Sequence, residues 1–450
     1  MPRGLPDKIG RYVVLARLGK GGMGSVYKVV TPDTQEIVAL KILDPLEVMI
    51  QVVGLPRITE SFTTEAAIMA ETRCPHVVRV WDFAHDERGT PYYTMDYLCR
   101  NLGTMIGETY QVEARSRLIP PKKVIQYGTQ ILQGLDCLHH EGIIHRDIKP
   151  YNILVSDQDT VKICDFGLSK VRGERSIRPE GARIGSPFYS APEQVNHPEQ
   201  ADERSDLYSV GVLLYRMLTG ELPGMKNFAL SMVSPVYDQP WDSFFARALS
   251  LQPELRFPQA ATMLTELNTL RINASREQRE KQNEALAKPP NSRSSLLRSS
   301  PLRVSGINAQ QAFQVNDRFQ PVHRPRSDLI MNDPGNTLTD RATGLIWQAT
   351  ASPRPLSLPE ATTFVQTLNS TNFGGHSNWR LPTVNELCSL APTLLSSPND
   401  QGDAVTDPEK DWFWSCDHRS DTSGWFVSIH MNFAGWQEMS CPTFVRAVSD

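Results

Sequence analysis

The sequence predicts an α+β chain in two folded parts: a two-lobed unit, first strand-rich and then helical, and after it a smaller α+β domain. Three observations lead there. Residues 10–100 run as short β-rich segments broken by Gly and Asp/Pro turns, interrupted once by a helical stretch around 62–72. Residues 121–271 change to helical periodicity, with Val124, Ile125, Tyr127, Ile131, Leu132, Leu135 and Leu138 behind Pro120-Pro121. Residues 288–326 collect Pro, Ser, Arg and Gln without apolar periodicity, after which Trp, Gly and Asn return in clusters with turn signals such as Asp333-Pro-Gly-Asn336.

The 450 residues exceed one ordinary domain, since domains run to about 100–200 residues. With 40% hydrophobic and 21% charged residues, the composition is that of a globular chain and excludes a fibrous or wholly disordered one. The longest apolar run, Val210–Leu218, contains an arginine and is short of a membrane span. The N-terminal residues lack an apolar leader core, so a cytoplasmic location is expected. Seven scattered cysteines with no Cys-x-x-Cys pair point away from a zinc site or a disulfide framework and toward reduced thiols. The net charge of -4 is unevenly spread: 11 basic against 4 acidic side chains in 271–326, but 6 against 14 in 327–450.

In chain order, the first motif is Gly19-Lys-Gly21-Gly-Met-Gly24-Ser-Val26 between two predicted strands. Such a turn brings backbone N–H groups close to phosphates because no Cβ holds the chain away. Taken alone it is a weak signal. Val38-Ala39-Leu40-Lys41 on the next strand adds a lysine able to hold phosphate oxygens, and Phe62-x-x-Glu65 on the predicted helix adds a carboxylate to fix it. The decisive run is His145-Arg146-Asp147-Ile148-Lys149-Pro150-Tyr151-Asn152, followed by Asp165-Phe166-Gly167. Phosphoryl transfer needs a carboxylate to orient the attacking hydroxyl, oxygen ligands for Mg²⁺, and positive charge on the migrating group. Asp147, the pair Asn152 and Asp165, and the pair Lys149 and Lys41 answer those demands in turn.

This ordered set resembles the eukaryotic-like (bacterial-type) Ser/Thr protein kinases over residues 10–271. The resemblance implies a two-lobed kinase fold and an activity transferring the γ-phosphate of ATP, with Mg²⁺, to protein Ser/Thr hydroxyls, autophosphorylation included. It makes Asp147 the catalytic base and assigns Gly19, Gly21, Gly24 and Lys41 to the ATP phosphates, with Glu65 anchoring Lys41. Asn152 and Asp165 become metal ligands. Leu18, Val26, Ala39 and Leu154 line the adenine, Met95 is the gatekeeper, and Asp96, Tyr97 and Leu98 form the hinge. Ala191-Pro192-Glu193 ends the activation segment, Asp206 braces the catalytic loop, and Arg256 pairs with Glu193. Two stretches, 42–64 and 100–118, are longer than the family usually has. Ser176, set among Arg172, Arg175 and Arg178, and Ser186 are the expected phosphosites. An ATP-binding pseudokinase scaffold is the alternative.

Residues 272–326 read as a basic flexible linker; aromatic residues are nearly absent from it, so nucleic acid is not an expected partner. In 327–450, Asn336–Gln348, Asn378–Leu387, Trp412–Ser415 and Phe444–Val448 resemble the Lcl C-terminal type of domain, related to the C-type-lectin and formylglycine-generating-enzyme folds. That resemblance implies a C-type-lectin-like α+β domain recognising an unidentified ligand or substrate, its Trp and Arg residues serving mostly as core and buried anchors. Some proteins of this kind are varied by diversity-generating retroelements, and 412–446 is where such variation is expected.

Overall fold

In a computed structural model of the chain, the described residues are 6–108, 111–165, 170–171, 188–224, 229–234, 236–270, 297–322, 327–332, 335–395 and 410–450. They form two compact units, the first closing at Asn273 and the second chiefly Ala274–Asp450.

The first unit opens with an antiparallel six-stranded sheet: β1 (Lys8–Ile9), β2 (Tyr12–Lys20), β3 (Gly24–Val30), β4 (Ile37–Leu43), β5 (Val80–His85) and β6 (Pro91–Met95), in the order β1-β2-β3-β4-β6-β5. Alternation drives it: in β2, Tyr12 and Val14 turn inward and Val13 outward, and the inward set meets Val29, Val38, Leu40 and Tyr92. Central β4 is apolar on both faces and is paired on both edges, which fixes Lys41 opposite Val26 and Tyr93.

Between β4 and β5 lie α1 (Glu47–Val53) and α2 (Leu55–Glu71). The expected helix near 62–72 therefore starts seven residues earlier, with a proline in its first turn. Ile58, Phe62, Glu65, Ala66 and Met69 form its buried face. The helical part comprises α3 (Leu102–Ile106), α4 (Pro121–His140), α5 (Pro192–Asn196), α6 (Glu203–Thr219), α7 (Gln239–Ala248) and α8 (Ala260–Leu267). The two parts are stitched by a parallel bridge between Val77 and Ile163 and by Lys162 Nζ on Asp96 Oδ2 at 2.6 Å.

The second unit has a four-stranded sheet of Leu329–Met331, Thr337–Asp340, Ile346–Gln348 and Val448–Ser449, a three-stranded meander over Trp412–Glu438, and the helices Leu358–Ser370 and Val384–Leu395. Its core gathers Trp347, Leu387, Phe413, Trp425 and Val427. Several of its tryptophans and one arginine are buried anchors, while Trp436 and Arg419 are exposed. Trp347 and Trp414 are fully buried, and buried Arg446 donates to the carbonyls of Gln348 and Ala349 at 3.0 and 2.7 Å.

One boundary moves. Residues 297–322, assigned from the sequence to the flexible linker that ends at 326, are built into this second unit. The helix Gly306–Phe313 contributes Ala309 and Phe313 to its core, joined by Val315 and Phe319. Arg298 grips the fully buried Asp417 with two bonds of 2.8 Å. The basic charge that suggested a solvated tether is here partly an ion-pair partner.

Candidate active site

The glycine turn joins β2 to β3 in the register Gly19↔Val26 and Lys20↔Ser25. Gly21 N–H donates to Gly24 O at 2.8 Å, and the N–H groups of Asp44 and Leu46 hold the carbonyls of Met23 and Gly22 at 3.1 Å. A Cβ on Gly24 would lie 2.5 Å from the Ile42 carbonyl oxygen, so only glycine fits there, whereas Gly19 faces open space and a Cβ on Gly21 would meet only the Gly24 carbonyl oxygen, at 3.8 Å. Lys20 and Ser25 both bind Asp44, whose carboxyl is lowered by those bonds despite its partial burial.

Lys41 Nζ reaches Glu65 Oε1 at 2.8 Å and Asp165 Oδ1 at 3.2 Å, and Tyr93 Oη donates to the same Glu65 oxygen at 2.9 Å. Burial of Lys41 works against its charge, yet Glu65, Tyr93 and Asp165 together hold its pKa well above the ordinary value. Lys41 in turn keeps the Asp165 carboxyl below its ordinary value. The set is therefore a lysinium between two carboxylates, with the Asp165 end partly open at 49% side-chain exposure and the Glu65 end closed.

The second set surrounds Asp147. Lys149 Nζ lies 2.7 Å from Asp147 Oδ2, and Asn152 Nδ2 donates to Asp147 O at 2.8 Å and to Oδ2 at 3.0 Å. Asp147 is buried, with 7% exposure. The two sets are joined through Cys164, which precedes Asp165: its N–H donates to Asn152 O, and its carbonyl accepts from His145 Nε2.

The loop is fixed from beneath by Asp206 on the first turn of α6. Its Oδ2 accepts from His145 N and His139 Nε2 at 2.9 Å, and its Oδ1 from Arg146 N at 2.7 Å. Burial pushes the Asp206 carboxyl up, but His139, His145 and the Arg146 N–H outweigh it and leave the pKa lowered. Arg146 and Asp165 both sit at positive φ, 67° and 65°; such backbone costs about 1–3 kcal/mol in a non-glycine residue, and at Arg146 it is held by the bond to Asp206. Glu193 pairs with Arg256 through two bonds of 2.6 and 2.8 Å, and Ser205 Oγ donates to Glu193 at 2.7 Å.

The residues named for the adenine end are spread over adjoining strands. Val26, Met95, Leu98 and Leu154 are half-buried, Ala39 is buried opposite Met95, and Leu18 is exposed. Asp96 directs its carboxylate to Trp81 Nε1 and Lys162. Ser176 and Ser186 lie outside the described residues. Sequence reasoning missed Tyr93, His139, Gln194 and Glu108. The strand register alone signals Tyr93, because it lies opposite Lys41. Among the described residues, no group of three or more His, Cys, Asp or Glu is arranged to hold a metal ion, and no helix is long and apolar enough to cross a membrane.

Residues 12–298 match the protein kinase domain, and residues 336–449 the Lcl C-terminal domain. The serine/threonine-protein kinase PknL of Mycobacterium tuberculosis is 33% identical over 274 residues, 58% of this chain and 65% of that protein. Serine/threonine-protein kinase A of Synechocystis is 36% identical over 228 residues, covering 47% of this chain and 41% of its own length. Each alignment thus spans well under the full length of the relative. The solved kinase domain of M. tuberculosis PknI aligns at 25% identity with a TM-score of 0.43, over 58% of this chain and 96% of that one. With its kinase-domain match running over more than half its residues, the chain belongs to the protein kinase family.

Proposed function

We propose that this protein is an active Ser/Thr kinase, transferring the γ-phosphate of ATP to hydroxyls of protein substrates and of itself. The carrying observation is the Asp147 carboxylate, buried and held by Lys149 and Asn152, with Asn152 O in turn accepting from the N–H of Cys164, the residue before Asp165 of the Asp165–Lys41–Glu65 set. In this reading Asp147 orients the acceptor hydroxyl and takes its proton, while Lys149 and Lys41 balance negative charge on the phosphoryl group. Glu65 keeps Lys41 charged and directed. Gly19 and Gly21 leave room for phosphates beside the turn, and the fixed backbone at Gly24 supports it. Asn152 and Asp165 offer oxygen donors that suit Mg²⁺, which when bound would neutralise phosphate charge. Leu18, Val26, Ala39, Leu154, Met95, Asp96 and Leu98 would enclose the adenine.

The kinase domain is taken as residues 10–271. The second domain is inferred to be C-type-lectin-like; pairing of Ile346–Trp347 with Val448–Ser449 near its two ends, around two helices and a separate meander, supports that reading. Its role is proposed to be recognition of a ligand or substrate. Dependence on ATP suits a cytoplasmic location.

The test is transfer of labelled γ-phosphate from ATP to a generic acceptor protein by the full chain. Loss of transfer in Asp147→Asn and Lys41→Met is expected. An inactive wild type, under every activation tried, would favour a scaffold instead.

A further inference from the structure

Glu108 follows α3, inside the stretch 100–118 that the sequence marks as unusually long, and is only 9% exposed. Its Oε2 accepts from Tyr189 Oη at 2.8 Å, and its main-chain carbonyl accepts from Tyr151 Oη at 2.6 Å. Both tyrosines lead to Asp147. Tyr151 lies between Lys149 and Asn152, the two side chains bonded to Asp147. Tyr189 stands two residues before Ala191, whose N–H donates to Gln194 Oε1, and Gln194 Nε2 donates to the carbonyl of Arg146, the neighbour of Asp147.

The anchor is rigid. Glu108 N–H donates to Gly103 O at 2.9 Å, and Gly103 packs so closely on Tyr151 that a Cβ there would lie 2.8 Å from ring atoms. Burial pushes the Glu108 carboxyl up, while the Tyr189 bond and the charges of Arg216 and Lys149 oppose it. Arg216 on α6 is itself fully buried and donates to the carbonyls of Val112 and Ala114 at 2.8 Å, tying down the chain just beyond Glu108.

We propose that Glu108 is a positioning residue for the protein substrate, clamping the segment around Tyr189 to the catalytic loop. The acceptor chain would then lie over this segment and the exposed edge of Tyr151, with its hydroxyl at Asp147. The inference rests on the kinase reading above. Glu108 bonds no residue of the glycine turn and neither Lys41 nor Asp165, so its removal falls on the acceptor side of the reaction rather than on ATP.

The experiment compares Glu108→Ala, Glu108→Gln and Tyr189→Phe with wild type in the full chain, using labelled ATP and dephosphorylated casein as acceptor. Glu108→Ala and Tyr189→Phe are expected to raise KM for casein about tenfold, the loss of one hydrogen bond to a charged group. KM for ATP should stay within about twofold. Glu108→Gln, whose amide oxygen still accepts from Tyr189, should return most of the loss. An unchanged KM for casein, equal effects on both KM values, or Gln as impaired as Ala would each overturn the proposal. Where Glu108→Ala fails to fold, as judged by its melt, Tyr189→Phe decides, since it deletes a single hydroxyl. If wild type transfers nothing, the kinase reading falls by itself. Hydrogen exchange at 188–194 then decides the clamp: faster exchange in Tyr189→Phe supports it, and unchanged exchange refutes it.

Discussion

Replacing Asp206 by Asn changes one atom of the group beneath the catalytic loop and nothing in its size. The carboxylate receives three donors, two on Oδ2 and one on Oδ1, and is fully buried. The amide in its better orientation keeps the oxygen toward His139 and His145, and turns its NH₂ against the Arg146 N–H. One charge-assisted bond is lost and two buried donors, the amide NH₂ and the Arg146 N–H, are left facing each other, about 3–5 kcal/mol together. For a unit of this size that lowers the melting midpoint by about 6–20 °C. The Arg146 backbone, already at φ 67°, is then free to relax and carry Asp147 with it. A shift of about 1 Å costs on the order of 100-fold in turnover.

The effect of pH has a definite sign. The folded carboxyl titrates below its ordinary 3.8, so its stabilisation is full above that value and is lost as pH falls through the folded one. The gap between wild type and variant should therefore close on acidification below about pH 4. Urea titrations at pH 7 and near pH 3, with turnover of casein at pH 7, measure all of this. A variant that melts like wild type and retains its turnover would refute the role given to Asp206.

Other outcomes follow from single contacts. Arg256→Ala strands the Glu193 carboxylate and should cost about 3–5 kcal/mol in urea unfolding; because Glu193 is lowered, the difference should shrink as pH falls below its ordinary 4.5. Glu65→Gln keeps one acceptor for Lys41 but removes the charge, so turnover should drop about 10–100-fold with the melt little changed, checked by kinetics and calorimetry. Gly24→Ala brings a methyl against the Ile42 carbonyl and should raise KM for ATP severalfold, read by an ATP titration. Arg298→Ala should destabilise the second unit by about 2–4 kcal/mol, leaving Asp417 buried with its two N–H donors from Leu302 and Val384. Its unfolding can be followed by tryptophan fluorescence; no loss would return residue 298 to a solvated linker.

What was legible in the sequence was whatever chemistry compresses into short runs. Asp147, Lys149 and Asn152 sit within six residues, and their mutual bonds follow from that spacing. Lys41 and Glu65 are 24 apart, yet the strand and helix signals around each suffice to pair them. The start of α2 was harder to see, because Thr59, Thr63 and Thr64 dilute the helical pattern and only Pro56 marks the first turn. The segment 297–322 was misjudged for a different reason. Ala309 and Phe313 are too few to make a periodic face, Ile307 beside them is exposed, and the partner of Arg298 lies 119 residues away. Glu108 carries no motif, and its role depends on two tyrosines from distant turns. In 412–446, Trp412, Trp414, Trp425 and Phe433 are buried, so sequence variation there would be tolerated at exposed positions such as Arg419, Asp421 and Trp436.

The most direct measurement is phosphate transfer from labelled ATP by the purified full chain, wild type beside Asp147→Asn, with ATP binding followed in parallel. Transfer by wild type, lost in Asp147→Asn while ATP still binds, is the expected result. Equal transfer by the two proteins, or none by wild type under any activating condition, would contradict the role of Asp147 as the base.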